Sequence, residues 1–536
     1  TRPRPLMSTT EDSEPRTDQS ALQRDPTGQR RAGKNLIVGW IAKLSVVISG
    51  FVLPRLISDT LGAVQLGIWD FGWSLVAYFR LLGLGLATGL NRYVARYDAS
   101  GETLALRRVV ASAATIQLIV CAVTLLVGFV VALNIQHVFR LEDTSLYRDA
   151  ATLAMLFTAM LAMRMLSWPA RGILTGRHLW ATNSSLTAWG DFLALAAAVV
   201  VLLVFEAGLV ALGTAYLSAT VLTESLRMLL ARREFAQPIY ALKFSYWPMM
   251  KKLVTFGLKS NLIGMNQMVV VQTLRIVLFN AIGPAALATY ARPQSLLRFA
   301  NTFVYSYATL LTPTASSLQG LDRQHEMKAF FLSSVRITAA LALPMCLALG
   351  VYGDLVIATW MGSDYVVPWL MATVAAGGFL SATHPAATTI MAGLNQHGRM
   401  ALQAAAVTLT LFALGVTLGY AGGWTPVRAA AVGGVSLSVG CGLFYAWFAC
   451  RALKINLTEY LGQVYAVPVS CNVLFLALLL LPQWLGYSHT FLSMLIWSGL
   501  AATLLGALYW QFLLTPDTRQ RVIAKIPFLK PSRTGA

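Results

Sequence analysis

The sequence predicts an all-α polytopic membrane protein. About fourteen transmembrane helices are expected, as two six-helix lobes related by a pseudo-two-fold axis along the membrane normal, plus two extra C-terminal helices. Three observations point there. Of 536 residues, 57% are hydrophobic and only 12% charged, whereas soluble domains are about 25% charged. The apolar runs are continuous and long, where barrel strands would alternate every second residue. A weak self-similarity also recurs at one fixed offset along the chain.

A bilayer-spanning helix needs about 20 apolar residues. Stretches of that kind lie at roughly 35–60, 66–88, 109–133, 149–170, 181–205, 208–230, 253–281, 285–317, 328–352, 365–392, 400–421, 427–450, 460–482 and 490–513. The chain therefore divides into a polar, disordered cytoplasmic tail (1–33), an N-lobe of helices 1–6 (34–232), a cytoplasmic interfacial linker (233–252) and a C-lobe of helices 7–12 (253–453). Helices 13 and 14 (454–515) and a cytoplasmic C-terminal tail (516–536) follow. No cleavable signal is expected, and Met7 offers a natural start. The linker contains Tyr246-Trp247-Pro248-Met249-Met250-Lys251-Lys252 and reads as an amphipathic stretch lying at the interface.

The net charge of +19 orients these spans. One side holds both tails and the basic loops, including Arg92, Arg96, Arg107, Arg108, Arg171, Arg177, Arg232, Arg233, Lys243, Lys251 and Lys252. The other holds only Arg140, Arg148 and Arg428. By the positive-inside rule both termini are cytoplasmic. Loops on the sparse side are short, which argues against an extracytoplasmic enzyme domain. Trp69, Trp168, Trp180, Trp360, Trp424, Trp484 and Trp510 fall near span ends and are expected to be interfacial anchors.

The repeat maps Leu61-Gly62 onto Ile282-Gly283, Leu66 onto Leu287, Ser74-Leu75 onto Ser295-Leu296 and Gly172 onto Gly393. Six-helix units keep one orientation, and two such lobes can rock about a central cavity.

Nine of the 41 basic residues fall inside the spans: Lys43, Arg55, Arg80, Arg164, Lys259, Arg275, Arg292, Arg298 and Arg336. A charge at the bilayer centre costs about 2.5–3.5 kcal/mol even on the lenient insertion scale. Lys43, Arg80, Lys259, Arg275, Arg292, Arg298 and Arg336 are the candidate substrate-binding residues, and all but Arg336 lie on helices 1, 2, 7 and 8. Arg80 lies roughly 21 Å along its helix. Such a cluster is stable when hydrated or bound to an anion, and phosphate suits both the arginine fork and the lysine point charge. Asp70, Asp191 and Arg55 are candidates for ion coupling or gating. Against those roles stand snorkelling of Arg55 and Arg164, an Asp191–Arg164 pair and a Glu224–Arg227 pair. Asp70 corresponds approximately to Arg292 under the repeat, so the lobes differ there. Asn261, Asn266 and Gln267 are placed to share the cavity, and Pro293 and Pro313 to kink helix 8. The Gly85–Gly89 spacing favours close helix approach.

Cys121, Cys346, Cys441, Cys450 and Cys471 read as buried packing residues. No phosphate-cradling loop, metal constellation or catalytic triad is present, so no cofactor is expected. Nucleic acid is not an expected partner, because the exposed cations follow topology.

Leu61-Gly62, Leu66-Gly67-Ile68-Trp69, Leu82-Gly83-Leu84-Gly85 and Asn91-Arg92-Tyr93-Val94-Ala95-Arg96, with the turn around Gly172–Trp180, resemble the polysaccharide transporter family, which includes Wzx-type flippases. That resemblance implies alternating access and a V-shaped cationic cavity between the lobes. It implies a flippase, not an enzyme, carrying undecaprenyl-pyrophosphate-linked oligosaccharide across the bacterial inner membrane for exopolysaccharide or O-antigen synthesis. Membrane lipids, a polysaccharide polymerase and export machinery are the partners it implies, and helices 13 and 14 would help hold the lipid tail. An ion-coupled multidrug antiporter or a lipid II flippase of the same fold are the alternatives. A membrane glycosyltransferase or polymerase is a third reading, disfavoured by the short outer loops.

Overall fold

The computed structural model describes residues 32–82, 86–138, 144–308, 311–321, 323–394, 396–486, 490–514, 516 and 519. Nearly all of the N-terminal tail expected to be disordered, and of the C-terminal tail, lies outside the described residues. So do Gly83–Gly85 of the close-approach motif and the side chains of Arg80, Lys259 and Asn261.

Among the described residues there is helix and no strand. The first half of the chain runs α1 (Ala32–Leu61), α2 (Ala63–Leu82), α3 (Leu86–Ala99), α4 (Thr103–Leu133), α5 (Ile135–Val138), α6 (Thr144–Leu166), α7 (Trp168–Gly176), α8 (Trp180–Val199) and α9 (Leu209–Phe235). The second runs α10 (Trp247–Ala281), α11 (Pro284–Ala308), α12 (Leu311–Gly320), α13 (Gln324–Met361), α14 (Leu370–Ala382), α15 (His384–Gly393), α16 (His397–Gly422), α17 (Pro426–Leu437) and α18 (Phe444–Ala452). It ends with α19 (Leu457–Trp484) and α20 (Phe491–Leu508).

Helix occupies every predicted span, and ten segments are long and apolar enough to cross a membrane. The predicted spans near 66–88, 253–281, 285–317 and 365–392 are not among those ten. The first three carry Asp70, Arg80, Lys259, Arg275, Arg292 and Arg298. The second and third of these, α10 and α11, wall the cavity described below, and their charged residues are what a polar wall requires. The fourth is interrupted at Thr383, where His384-Pro385 starts a new helix with proline in its first turn. α7 begins the same way after Ser167, with Trp168-Pro169.

The packing of the first half recurs in the second. α1 lies on α8 as α10 lies on α16, and α4 on α6 as α13 on α14. α6 meets α9 as α14 meets α17, and α3 meets α7 as α12 meets α15. Gly62 and Gly283 show how sequence dictates this locally. Each follows the first helix of its half with φ of +88° and +117°, a left-handed backbone that a Cβ disfavours. The chain turns there at once into α2 and α11.

The short sequence signatures also pack against one another. Thr175 donates a 2.7 Å hydrogen bond to Asn91, Arg177 pairs with Asp98 at 2.7 Å, and Gly172 and Gly176 let α7 press on Leu90 and Val94. The segment before α10 docks on the same half. The Tyr246 amide donates to Ser112 at 3.0 Å, Arg107 stacks 4.0 Å from the Phe244 ring, and the Tyr240 hydroxyl donates to the Leu166 carbonyl. Trp69 departs from its expected interfacial place. It is 2% exposed and sits in the core against Trp73, Phe157 and Tyr216, because its face of α2 turns toward α6 and α9.

The two halves meet tightly along α2 and α11. We call the end that carries Arg96, Arg107 and Arg177 the basic face. Near the other face, the Trp360 indole donates to the Phe51 carbonyl at 2.7 Å, Arg55 donates to the Trp360 carbonyl at 3.2 Å, and the Ser58 and Tyr365 hydroxyls are 2.7 Å apart. Gly67 lies so close to the Pro284 backbone that no side chain fits between them.

Candidate functional site

Below this seal, toward the basic face, a cavity of about 510 Å³ opens between α1, α10, α11, α14 and α17. Helical periodicity builds its walls. On α11, Tyr290, Gln294, Arg298, Asn301 and Tyr305 recur every three or four residues and so share one face; on α10, Gln267, Val271 and Arg275 do the same. Lys43 enters from α1, and its ammonium donates to Ser306 at 2.8 Å. Gly377 and Gly434 close the back wall, where α14 and α17 approach backbone to backbone.

Three of the predicted cationic residues therefore meet in one place: Lys43, Arg275 and Arg298. No described residue of the lining is a carboxylate. Arg275 is 9% exposed, forms no ion pair among the described residues and leaves its Nε without a partner. Arg298 is exposed to the cavity, with a 3.3 Å hydrogen bond to Ser295 and the Phe299 ring 5.5 Å away. A buried guanidinium with no ion-pair partner among the described residues calls for an anion or for water.

The other predicted residues lie elsewhere. Arg292 is 1% exposed, pairs with Asp70 across the two halves, donates from Nε to the Ala288 carbonyl at 3.1 Å and sits 6.0 Å from the Trp360 ring. Arg336 donates to the Phe512 carbonyl at 3.0 Å and so ties α13 to the end of the last helix. Arg55 pairs with Asp59 at 2.6 Å. Asp191 accepts a 3.4 Å hydrogen bond from Ser45, within the field of Arg164, Arg227 and Arg171. It lies on α8, which belongs to the first half and does not line the cavity. Glu224 holds Arg227, with Arg171 3.2 Å away and Ser167 donating to it. Of the amides placed beside the cavity, Gln267 lines it. Asn266 turns into the second half and donates to Thr408 at 3.0 Å. The Arg80 and Lys259 side chains lie outside the described residues.

Sequence reasoning missed Gln272, Gln294, Asn301, Tyr290 and Tyr305 on the cavity wall. A charge search passes over neutral side chains. The signal that could have found them is the polar stripe at helical spacing on α11.

The family model described as "Polysaccharide biosynthesis protein" matches residues 71–368. No curated protein matches the chain. Solved structures do. One is an inward-facing multidrug resistance MATE family transporter of the MOP superfamily, at 16% identity and TM-score 0.63, covering 79% of this chain and 99% of that one. A second is the lipid II flippase MurJ in an inward closed conformation, at 10% identity and TM-score 0.66, covering 90% and 99%. A third is a MOP superfamily transporter from Pyrococcus furiosus noted for reverse polarity of its binding pocket, at 15% identity and TM-score 0.56, covering 79% and 96%. At these identities the likeness is one of fold, and the folds are those of transporters and flippases, not of enzymes. The matched segment takes in α10 and α11, the two helices that carry most of the cationic wall, and on that match the chain belongs to the polysaccharide biosynthesis protein family, as a multi-pass membrane protein with the fold of the MOP-superfamily transporters.

Proposed function

We propose that this protein is a flippase that moves undecaprenyl-pyrophosphate-linked oligosaccharide from the cytoplasmic to the periplasmic leaflet of a bacterial inner membrane, by alternating access, for exopolysaccharide or O-antigen synthesis. The observation that carries this reading is the cavity holding Lys43, Arg275 and Arg298 with no carboxylate among its described lining. A diphosphate joined to a lipid on one side and a sugar on the other carries two negative charges. Charge-assisted, forked hydrogen bonds from arginine suit it. Gln267, Gln294 and Asn301 beside the cations offer the donors and acceptors that sugar hydroxyls use. The reading places the basic face in the cytoplasm, with both termini there. The cavity then faces the leaflet where the glycan is assembled, and the seal lies on the periplasmic side. A cationic drug would meet like charge in this cavity, which disfavours a multidrug antiporter.

The test is translocation of a polyprenyl-diphosphate oligosaccharide by the purified protein in proteoliposomes. Arg275→Gln and Arg298→Gln should each reduce it at least tenfold with normal membrane insertion. Wild-type translocation by both variants would overturn the reading.

A further inference from the structure

Arg292 differs from the cavity arginines in being already occupied. It is nine residues into α11, buried to 1%, and held by Asp70 from the opposite half of the molecule. Every other described contact of this seal is neutral or, in the case of Arg55, involves a carbonyl across the halves and a carboxylate on its own helix. The Asp70–Arg292 pair is therefore the one ion pair among the described residues that joins the halves directly. Arg292 is not itself in the cavity lining, but it lies on α11 between Tyr290 and Gln294, which are. Arg298, on the same helix, lies within the electrostatic reach of Arg275, Asp70 and Arg292 together. Those four groups carry three positive charges and one negative.

Opening the seal separates Asp70 from Arg292. Done alone, that leaves a buried guanidinium and a carboxylate without partners, which is strongly unfavourable. An anion drawn in by Arg275 and Arg298 removes the obstacle, since it brings negative charge within about two turns of α11 from Arg292. A neutral ligand brings none. A ligand that stabilises the opened state in this way shifts the population toward it.

We propose that Arg292 is shared between the seal and the substrate: Asp70 holds it while the cavity is empty, and a bound diphosphate takes it over and releases the two halves on the face opposite the basic loops. This rests on the diphosphate reading of the cavity. It goes beyond that reading in making the substrate's charge the trigger for opening.

The experiment places spin labels at Val64→Cys on α2 and Ile282→Cys at the end of α10, both exposed and near the sealed face, in a full-length chain whose native cysteines are replaced by serine or alanine. The inter-label distance is measured in lipid nanodiscs with and without a long-chain polyprenyl diphosphate, with the matching polyprenol as the uncharged control. Binding of the diphosphate is measured separately on the same samples. The wild-type distance should lengthen with the diphosphate and not with the polyprenol. Asp70→Asn should show the lengthened distance without ligand while binding the diphosphate at least as tightly. The exchanged variant Asp70→Arg/Arg292→Asp should restore the short distance, which guards against a mere folding defect in the single variant. If the wild type binds no diphosphate, the reading of the cavity fails. If it binds with the distance unchanged, or if Asp70→Asn keeps the short distance and the wild-type response, the sharing of Arg292 is wrong and the cavity reading stands.

Discussion

Asp70 and Arg292 are 222 positions apart and form an ion pair, one position away from the offset that relates Gly62 to Gly283. Residues equivalent under a two-fold repeat touch only beside the two-fold axis. α2 and α11, the second helices of the two halves, therefore cross at the axis of the molecule. At these nearly corresponding positions one half carries an acid and the other a base, and the two pair.

Arg275, in the cavity wall, and Arg336, outside it, should separate in a binding assay. Arg275→Gln is expected to weaken binding of a polyprenyl diphosphate by about tenfold to a hundredfold, the scale of one or two charge-assisted hydrogen bonds. Arg336→Gln should change it less than about twofold and lower thermal stability instead, because Arg336 holds the Phe512 carbonyl. Equal loss of binding in both would put Arg336 in the site.

Removing Glu224 should be costly. It is nearly buried and serves Arg227, Arg171 and Ser167 at once. Glu224→Ala leaves a 1%-exposed guanidinium without its partner, which costs about 3–5 kcal/mol. Asp98→Ala breaks the more accessible pair with Arg177 and should cost less than Glu224→Ala. Thermal melts of the two variants in one detergent check the difference, and a Glu224→Ala melt within a degree or two of wild type would refute it.

Gly67→Leu should weaken the seal. A Cβ at that position runs into the Pro284 backbone, which cannot move aside as a flexible side chain can. With native cysteines replaced, a Ser58→Cys/Tyr365→Cys pair joined by a short bifunctional thiol reagent reports closure, since the native side chains meet and the reagent spans the length of the lost tyrosine ring. Cross-linking yield should fall several-fold on adding Gly67→Leu and should not change with Gly39→Leu, which has open space around it.

Gly62→Ala and Gly283→Ala should each destabilise the protein by about 1–2 kcal/mol through the left-handed backbone. Asparagine at either position should cost less. Denaturation in mixed micelles provides the comparison, and a harmless alanine at both sites would contradict the turn geometry.

Much of this molecule was legible in its sequence because membrane insertion is governed by local quantities. Span length and continuity determine helix, and the repeated glycines after Leu61 and Ile282 permit the left-handed turns found there. The intramembrane cations were likewise visible as a set, since each one is costly wherever it points. What only the tertiary structure decided is which of them remain available to a ligand. Arg275, Arg292, Arg298 and Arg336 look alike in sequence, yet the first and third line the cavity, the second is held by Asp70 and the fourth by a carbonyl on the last helix. Partners such as these come from helices hundreds of positions away. The field at a buried charge depends on what stands within a few ångströms of it, and that distance is set by how the two halves pack.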